Sequence, residues 1–232
     1  MLKQIYTSLH SRLLSSVTSR FSRNEDGMAA IEFGIIAPIM IAMYFGLAEI
    51  ASAISIDRQI SHSANVGGDL ATQLESVSVD EMSEIMTATM LVMGIPSDRQ
   101  KGVTVEIASY ARASDGSIIK KGKAVLKGSE GVDLPTFNAV DLDDHILNDV
   151  TGTVVARVNY VYQPLKLRYL NTDVNLSEVF TLKPRKSDNV DIHELDGSGG
   201  LTSNNYTCSF ADGPVKNDNT GKVSCSASGI LN

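Results

Sequence analysis

The sequence predicts an α+β fold: a long N-terminal membrane-spanning helix, then a periplasmic domain with a second helix and a small antiparallel sheet. Three observations support this prediction. An apolar run from Met28 to Ala48 follows a basic N-terminal region. Apolar residues then recur at helical spacing as far as Gly94. Beyond Pro96, short segments alternate apolar and polar residues, which is typical of half-buried strands.

Length and charge limit the possible classes of protein. The chain has 232 residues and a formal net charge of −7, so it can form one medium domain beside a membrane segment. An acidic balance disfavours polyanionic partners, and no nucleic-acid partner is predicted. The N-terminal region is the basic exception, with Lys3, Arg12, Arg20 and Arg23 before the apolar run. Such a flank predicts a cytoplasmic N-terminus and a translocated C-terminal part.

The membrane prediction depends on where Glu32 lies. The uncharged stretch from Phe33 to Ala48 is shorter than the roughly 20 residues that cross a bilayer core. Including Met28 and the residues up to Glu32 reaches that length, which puts Glu32 inside the span and Glu49 near its far end. We therefore expect a retained single-pass membrane helix. The alternative is a secretory signal peptide cleaved near the small residues that follow the run.

Two positions predict irregularities in the first helix. Pro38 lies inside the membrane helix and predicts a kink or a locally melted turn, because proline removes a backbone donor. Gly67-Gly68 predicts a bend or break further on.

The predicted segments are a cytoplasmic leader (1–27), a membrane helix (28–56), a helical extension (57–95) and a periplasmic β-rich domain (96–232).

Local signals define the elements of the exported domain. Ser78 and Glu81 form a capping box at the start of the second helix, and Gly94-Ile95-Pro96 ends it. The predicted strands are Val103–Ile107, a hairpin partner that follows the turn at 114–116 and ends near Leu126, Thr153–Tyr162, and about Val174–Leu182. The tail from Ser187 is rich in Gly, Asn, Ser and Asp and predicts irregular structure.

The two cysteines, Cys208 and Cys225, both lie in this tail. Disulfides persist in the oxidising compartments that exported domains reach, so a Cys208–Cys225 bridge is expected there. Two unrelated buried thiols remain the alternative. No metal site is predicted at the pair, because no histidine lies near either cysteine in the sequence.

No catalytic motif stands out in the sequence. It contains no nucleophile-elbow, P-loop or zinc-protease motif, and its four histidines lie far apart. We therefore predict no enzyme activity, no catalytic residue, no metal and no cofactor; a hydrolase is the disfavoured alternative.

Glu32 is the residue with the clearest functional meaning. A charged side chain in a membrane segment costs about 2.5–3.5 kcal/mol on insertion scales, so it needs a reason to be there. Cleavage after Gly27 would free an α-amino group on Met28, in the same or a neighbouring subunit, that could pair with the Glu32 carboxylate. The alternative is a carboxylate that reaches the cytoplasmic interface and contributes little.

The motif Gly27-Met28-Ala-Ala-Ile-Glu32-Phe33, followed by Pro38 and Gly46-Leu-Ala-Glu49, resembles the N-terminal signature of TadE-like pseudopilins of the tight-adherence (Tad) pilus system. The resemblance is most specific over about residues 26–70. It implies a minor pseudopilin needed for assembly of an adhesive, type IV-like pilus. Gly27 and Met28 would flank the cut of a prepilin peptidase, and Glu32 and Glu49 would be the two acidic positions.

The resemblance also implies partners and a role for the helix. The partners would be the prepilin peptidase, other pilus pseudopilins and the inner-membrane pilus machinery. Helix packing around Glu32, Phe33, Pro38 and Glu49 would guide assembly. The alternative function is an uncleaved, signal-anchored periplasmic module for binding or adhesion.

Overall fold

The computed structural model describes residues 25–138, 142, 152–164, 173–195, 198, 201–216, 218 and 220–230. Most of the predicted leader lies outside these residues. The chain divides into two compact units, Met1–Ala51 and Ser52–Asn232. The first is described through its helix alone, and the second contains the sheet and the main hydrophobic core.

The first helix, α1, spans Glu25–Thr72 and is helical throughout. It continues through Pro38, so the melted turn expected there is absent. It also continues through Gly67 and Gly68, which makes the expected break wrong. An added Cβ would lie 2.5 Å from Thr89 Oγ1 at Gly67 and 2.5 Å from Leu182 Cδ1 at Gly68. These glycines allow neighbouring elements to approach the helix closely.

The second helix, α2, spans Val79–Met93 and begins and ends as predicted. The Ser78 side chain accepts a hydrogen bond from the Glu81 backbone N–H, and the Glu81 carboxylate accepts one from Ser78 N at 2.9 Å. Gly94 closes the helix at φ 64°, a left-handed conformation that favours glycine. One face of α2 is buried in the core and includes Met82, Ile85, Met86, Thr89, Met90 and Met93.

Within the described residues, ten strands follow the helices or lie between them. A short 3₁₀ helix at Ser97–Gly102 leads into the main sheet. The strands are β1 Ser76–Val77, β2 Val103–Arg112, β3 Ile118–Lys127, β4 Thr153–Tyr162, β5 Val174–Leu182, β6 Asp191–Ile192, β7 Glu194–Leu195, β8 Leu201–Ser203, β9 Asn205–Phe210 and β10 Val223–Ala227. β2, β3, β4 and β5 are the strands that alternation predicts.

The main sheet corrects the prediction of a small antiparallel sheet. It has six strands in the order β10-β9-β3-β2-β4-β5, and it is mixed. β3 and β9 run parallel, with Lys123 opposite Asn205 and Leu126 opposite Cys208. β1 and β6 form a second, parallel pair, and β7 and β8 an antiparallel one. The tail predicted to be irregular therefore supplies two strands of the main sheet.

The two faces of the main sheet are covered differently. One face packs against α2 and the C-terminal part of α1, where Ile60, Ala64 and Ala71 are buried. The other face carries a smaller apolar cluster that includes Tyr110 and Val155, with Phe137 packed against it. Burial on both faces explains why β2 and β4 are buried along almost their whole length.

Candidate functional site

The N-terminal part of α1 presents apolar side chains to its surroundings. Its most apolar 18-residue window has a mean hydropathy of 1.9, and none of that window is buried. Phe33, for example, is 72% exposed. At 1.5 Å per residue, 20 helical residues measure about 30 Å, the thickness of a bilayer core. In the part of the chain that the structure describes, this is the one helix long and apolar enough to cross a membrane.

Glu32 lies on this exposed surface, one helical turn after Met28. Side chains on a helix tilt toward its N-terminus, so the Glu32 carboxylate is directed toward the turn that contains Met28. An amino group on Met28 would therefore be within reach of Glu32 in the same helix. It would also be accessible to the Glu32 of a neighbouring helix, because the surface around it is exposed.

Glu49 does not belong to the same site as Glu32. The helical rise places the two residues about 25 Å apart along α1. Glu49 is buried, with 8% of its surface exposed, although its neighbours on the helix are exposed. Phe33 and Pro38 lie on the helix between the two acids. The four predicted assembly residues thus share one helix but do not form one cluster.

Gly27 lies near the start of α1, and nothing in the described structure requires a glycine there. An added Cβ would meet no atom within 4 Å. Gly34 and Gly46 are equally open. None of these three glycines has a packing role in the described structure, so packing does not explain the glycine at position 27.

Cys208 and Cys225 form a disulfide bond between neighbouring strands. They are opposite each other in the antiparallel pair β9–β10. The backbone N–H groups of Val223 and Cys225 donate to Thr87 Oγ1 at 3.0 Å and Ser83 Oγ at 2.9 Å. The bridge therefore holds the strand that contacts α2.

Replacing both cysteines with serine is expected to destabilise the domain by about 3 kcal/mol, the chain-entropy value for a loop of this size. The separation between the two cysteines is 17 residues. Urea unfolding of the full-length protein in detergent would measure the difference. The wild type under reducing conditions is the matched control and should unfold at the same midpoint as the double variant. Equal midpoints for oxidised wild type and double variant would contradict the expectation.

The sequence analysis missed a buried ion pair on the second face of the sheet. Arg157 Nη2 lies 2.6 Å from Glu106 Oε1, and the two side chains are 7% and 10% exposed. The other terminal nitrogen, Nη1, donates to Pro135 O at 2.7 Å, and the guanidinium stands 5.4 Å from the centre of the Phe137 ring. The signal was present in the sequence, since Glu106 and Arg157 each interrupt a predicted apolar strand.

The surroundings of this pair suggest a structural role. Burial, and secondarily the Glu106 charge, raise the pKa of Tyr110 to about 12, while Arg157 acts in the opposite direction. Tyr110 is therefore neutral at physiological pH. Through Arg157, the pair holds the segment that contains Pro135 and Phe137 against this face of the sheet. Within the described ranges, no group of three His, Cys, Asp or Glu side chains could hold a metal ion.

Comparison with known proteins gives one result that bears on the helix. Residues 27–69 match the family model described as TadE-like protein. No curated protein and no solved structure matched the chain. The matched residues begin at Gly27 and lie within α1, so they contain Glu32 and Glu49. The resemblance inferred from the Gly27–Phe33 motif is therefore confirmed: residues 27–69 of this chain are similar to the TadE-like family.

Proposed function

We propose that this chain is a minor pseudopilin needed for the assembly of a Tad-type adhesive pilus. The observation that carries the proposal is the coincidence of three features on α1: the TadE-like match, the exposed apolar surface and a single acid, Glu32, inside that surface. A helix with this surface needs lipid or other helices around it. Because the Glu32 carboxylate needs a positively charged partner, it favours one register between the packed helices.

The proposed location is the bacterial inner membrane, with the N-terminus in the cytoplasm and residues 52–232 in the periplasm. The basic residues before α1 support this orientation through the positive-inside rule. The Cys208–Cys225 disulfide supports it independently, because such bonds are rare in the cytosol. The proposed partners are the prepilin peptidase, other pseudopilins and the pilus machinery of that membrane.

Processing after Gly27 is part of the proposal. A glycine that no packing contact requires supports recognition of this position by a peptidase whose pocket accepts no larger side chain. The cut would leave Met28 as the first residue and create the positive charge that Glu32 needs. The uncleaved signal-anchored module is the competing function, and it lacks this charge.

Mass spectrometry of the mature protein separates the two functions. In cells with an active prepilin peptidase, the mature chain is expected to begin at Met28. Gly27→Ala should reduce the cleaved fraction, and Gly27→Val should reduce it further, because each adds volume at the scissile bond. Gly34→Ala is the matched control, since it also adds one methyl group to an open position of α1 and should leave cleavage unchanged. An intact chain that begins at Met1 would overturn the pseudopilin proposal.

A further inference from the structure

The two edge strands of the main sheet differ in whether their outer backbone groups are covered. At the β10 edge, the Thr87 and Ser83 hydroxyls accept hydrogen bonds from the backbone N–H groups of Val223 and Cys225. Those groups are the ones that an additional strand would need. Helix α2 therefore blocks strand addition at this edge.

β5 forms the other edge and, apart from the charge of Glu178, carries none of the usual protection. It pairs with β4 in an unbroken register over nine residue pairs, from Val154–Leu182 to Tyr162–Val174. Within the residues that the structure describes, no strand pairs with its outer side. Its sequence contains no proline and no lysine, and Val179 is 49% exposed. Proteins usually blunt exposed edges with proline, lysine or a bulge, so an edge like β5 is suited to pairing.

We propose that β5 is a docking edge for a second copy of this chain, which pairs through its own β5, antiparallel and centred on Glu178. In this register the strand is complementary to itself. Asp173, just before β5, lies opposite Lys183 of the second copy, just after it. Leu176 then lies opposite Phe180. Each of these pairs occurs twice, as a two-fold interface requires.

The charges at the two ends favour a second copy over an unrelated strand. Asp173 and Lys183 are both exposed, and neither has an ion-pair partner in the described part of the chain. Opposite charges that face each other across strands stabilise the pairing, whereas like charges destabilise it. The two ends therefore select an antiparallel strand whose charges are reversed, and β5 itself meets that condition.

Glu178 is the one unfavourable position in this arrangement, because it meets its own copy at the centre. Beside it, an open surface depression of about 350 Å³ is also lined by Arg58 and His62. The Arg58 guanidinium reduces the repulsion between the two carboxylates, while Asp57 in the same lining adds to it. The pairing should therefore be weak and reversible, and it should strengthen when the central charge is removed.

Sedimentation equilibrium of the full-length protein in detergent micelles tests the proposal. Lys183→Asp places like charges at both ends and is expected to raise the dimer Kd at least about fivefold. Adding Asp173→Lys to that variant should restore the Kd to within about threefold of wild type. Lys222→Asp is the matched control, because it makes the same charge change near the blocked edge. All these side chains are exposed, so folding should be preserved.

Glu178→Gln distinguishes a second copy from a different partner. Self-pairing predicts that this variant lowers the dimer Kd by about threefold or more. A partner with a basic residue at the centre would instead lose affinity for the variant. Dimerisation through the apolar helix would be insensitive to Lys183→Asp, and that result would overturn the proposal, as would a monomer for both wild type and Glu178→Gln.

A crosslinking experiment in membranes checks the register directly. Ser177 lies opposite Val179 of the second copy in the proposed pairing. Differently tagged Ser177→Cys and Val179→Cys chains, when coexpressed, should form a mixed disulfide, whereas either variant alone should not. Equal crosslinking of each variant with itself would contradict the register.

Discussion

Replacing Glu32 with alanine is expected to abolish piliation while membrane insertion and cleavage after Gly27 continue. Glu32 lies on the exposed apolar surface of α1, so its removal disturbs no contact in the described structure. Under the proposed function, what is lost is the carboxylate that would pair with the Met28 amine. Removing one member of a buried ion pair costs about 3–5 kcal/mol, which corresponds to more than about a hundredfold in an assembly equilibrium. Counting pili per cell and blotting the processed form would measure both effects.

Two variants sharpen this experiment. Glu32→Gln keeps the size and polarity of the side chain but not its charge, so it should fail as Glu32→Ala does. Glu49→Gln removes the other acid of the TadE-like segment, about 25 Å away on the helix, and should leave the processed fraction unchanged. Normal piliation of Glu32→Ala would exclude pairing with the Met28 amine as an assembly determinant.

Glu106→Gln is expected to destabilise the domain by about 3–5 kcal/mol, because it leaves Arg157 buried without a counter-charge. A loss of this size is a large part of the 5–15 kcal/mol by which domains are typically stable. Urea unfolding of the full-length protein in detergent, followed by circular dichroism, would measure the shift in midpoint.

The exposed ion pair Lys101–Glu130 is the matched control for that experiment. Its side chains are 48% and 45% exposed, so Glu130→Gln should cost less than about 1 kcal/mol. Replacing Glu106 and Arg157 together with methionine removes both charges and should recover most of the stability, as apolar substitutes for buried pairs often do. A Glu106→Gln shift no larger than that of Glu130→Gln would show that the pair is not buried as described.

Local signals in the sequence predicted most of the secondary structure but not the sheet. The capping box at Ser78 and the alternation of apolar and polar residues over Val103–Ile107 in β2 are properties of neighbouring residues, so they are visible without a structure. The pairing of β3 with β9 joins residues that are distant along the chain, and β9 is a short strand of six residues. Alternation of apolar and polar residues predicts a strand, but it does not predict with which distant strand that strand pairs. Gly67 and Gly68 were misjudged for the same reason, since distant side chains explain them.

The sequence located Glu32 but did not show which groups the functional side chains contact. Motif spacing and span length placed Glu32 inside the apolar helix, and the structure has it on the exposed surface there. The partner proposed for Glu32 is an amine that exists only after cleavage, so neither the sequence nor the fold of the uncleaved chain contains it. The ion pair Glu106–Arg157 was missed because two charges in separate apolar strands reveal no contact until the strands pair.

The parallel pairing of β3 with β9 has a consequence for the order in which the domain can form. In the proposed orientation, export proceeds from the membrane helix outward, so β9 and β10 are the last of the described strands to leave the cytoplasm. Until they arrive, β3 has no neighbour on one side, and the Ser83 and Thr87 hydroxyls lack the strand they contact. The main sheet can therefore be completed only after β9 and β10 have crossed the membrane. A chain stalled or truncated before Asn205 would present the open edge of β3 to chaperones, proteases and other chains.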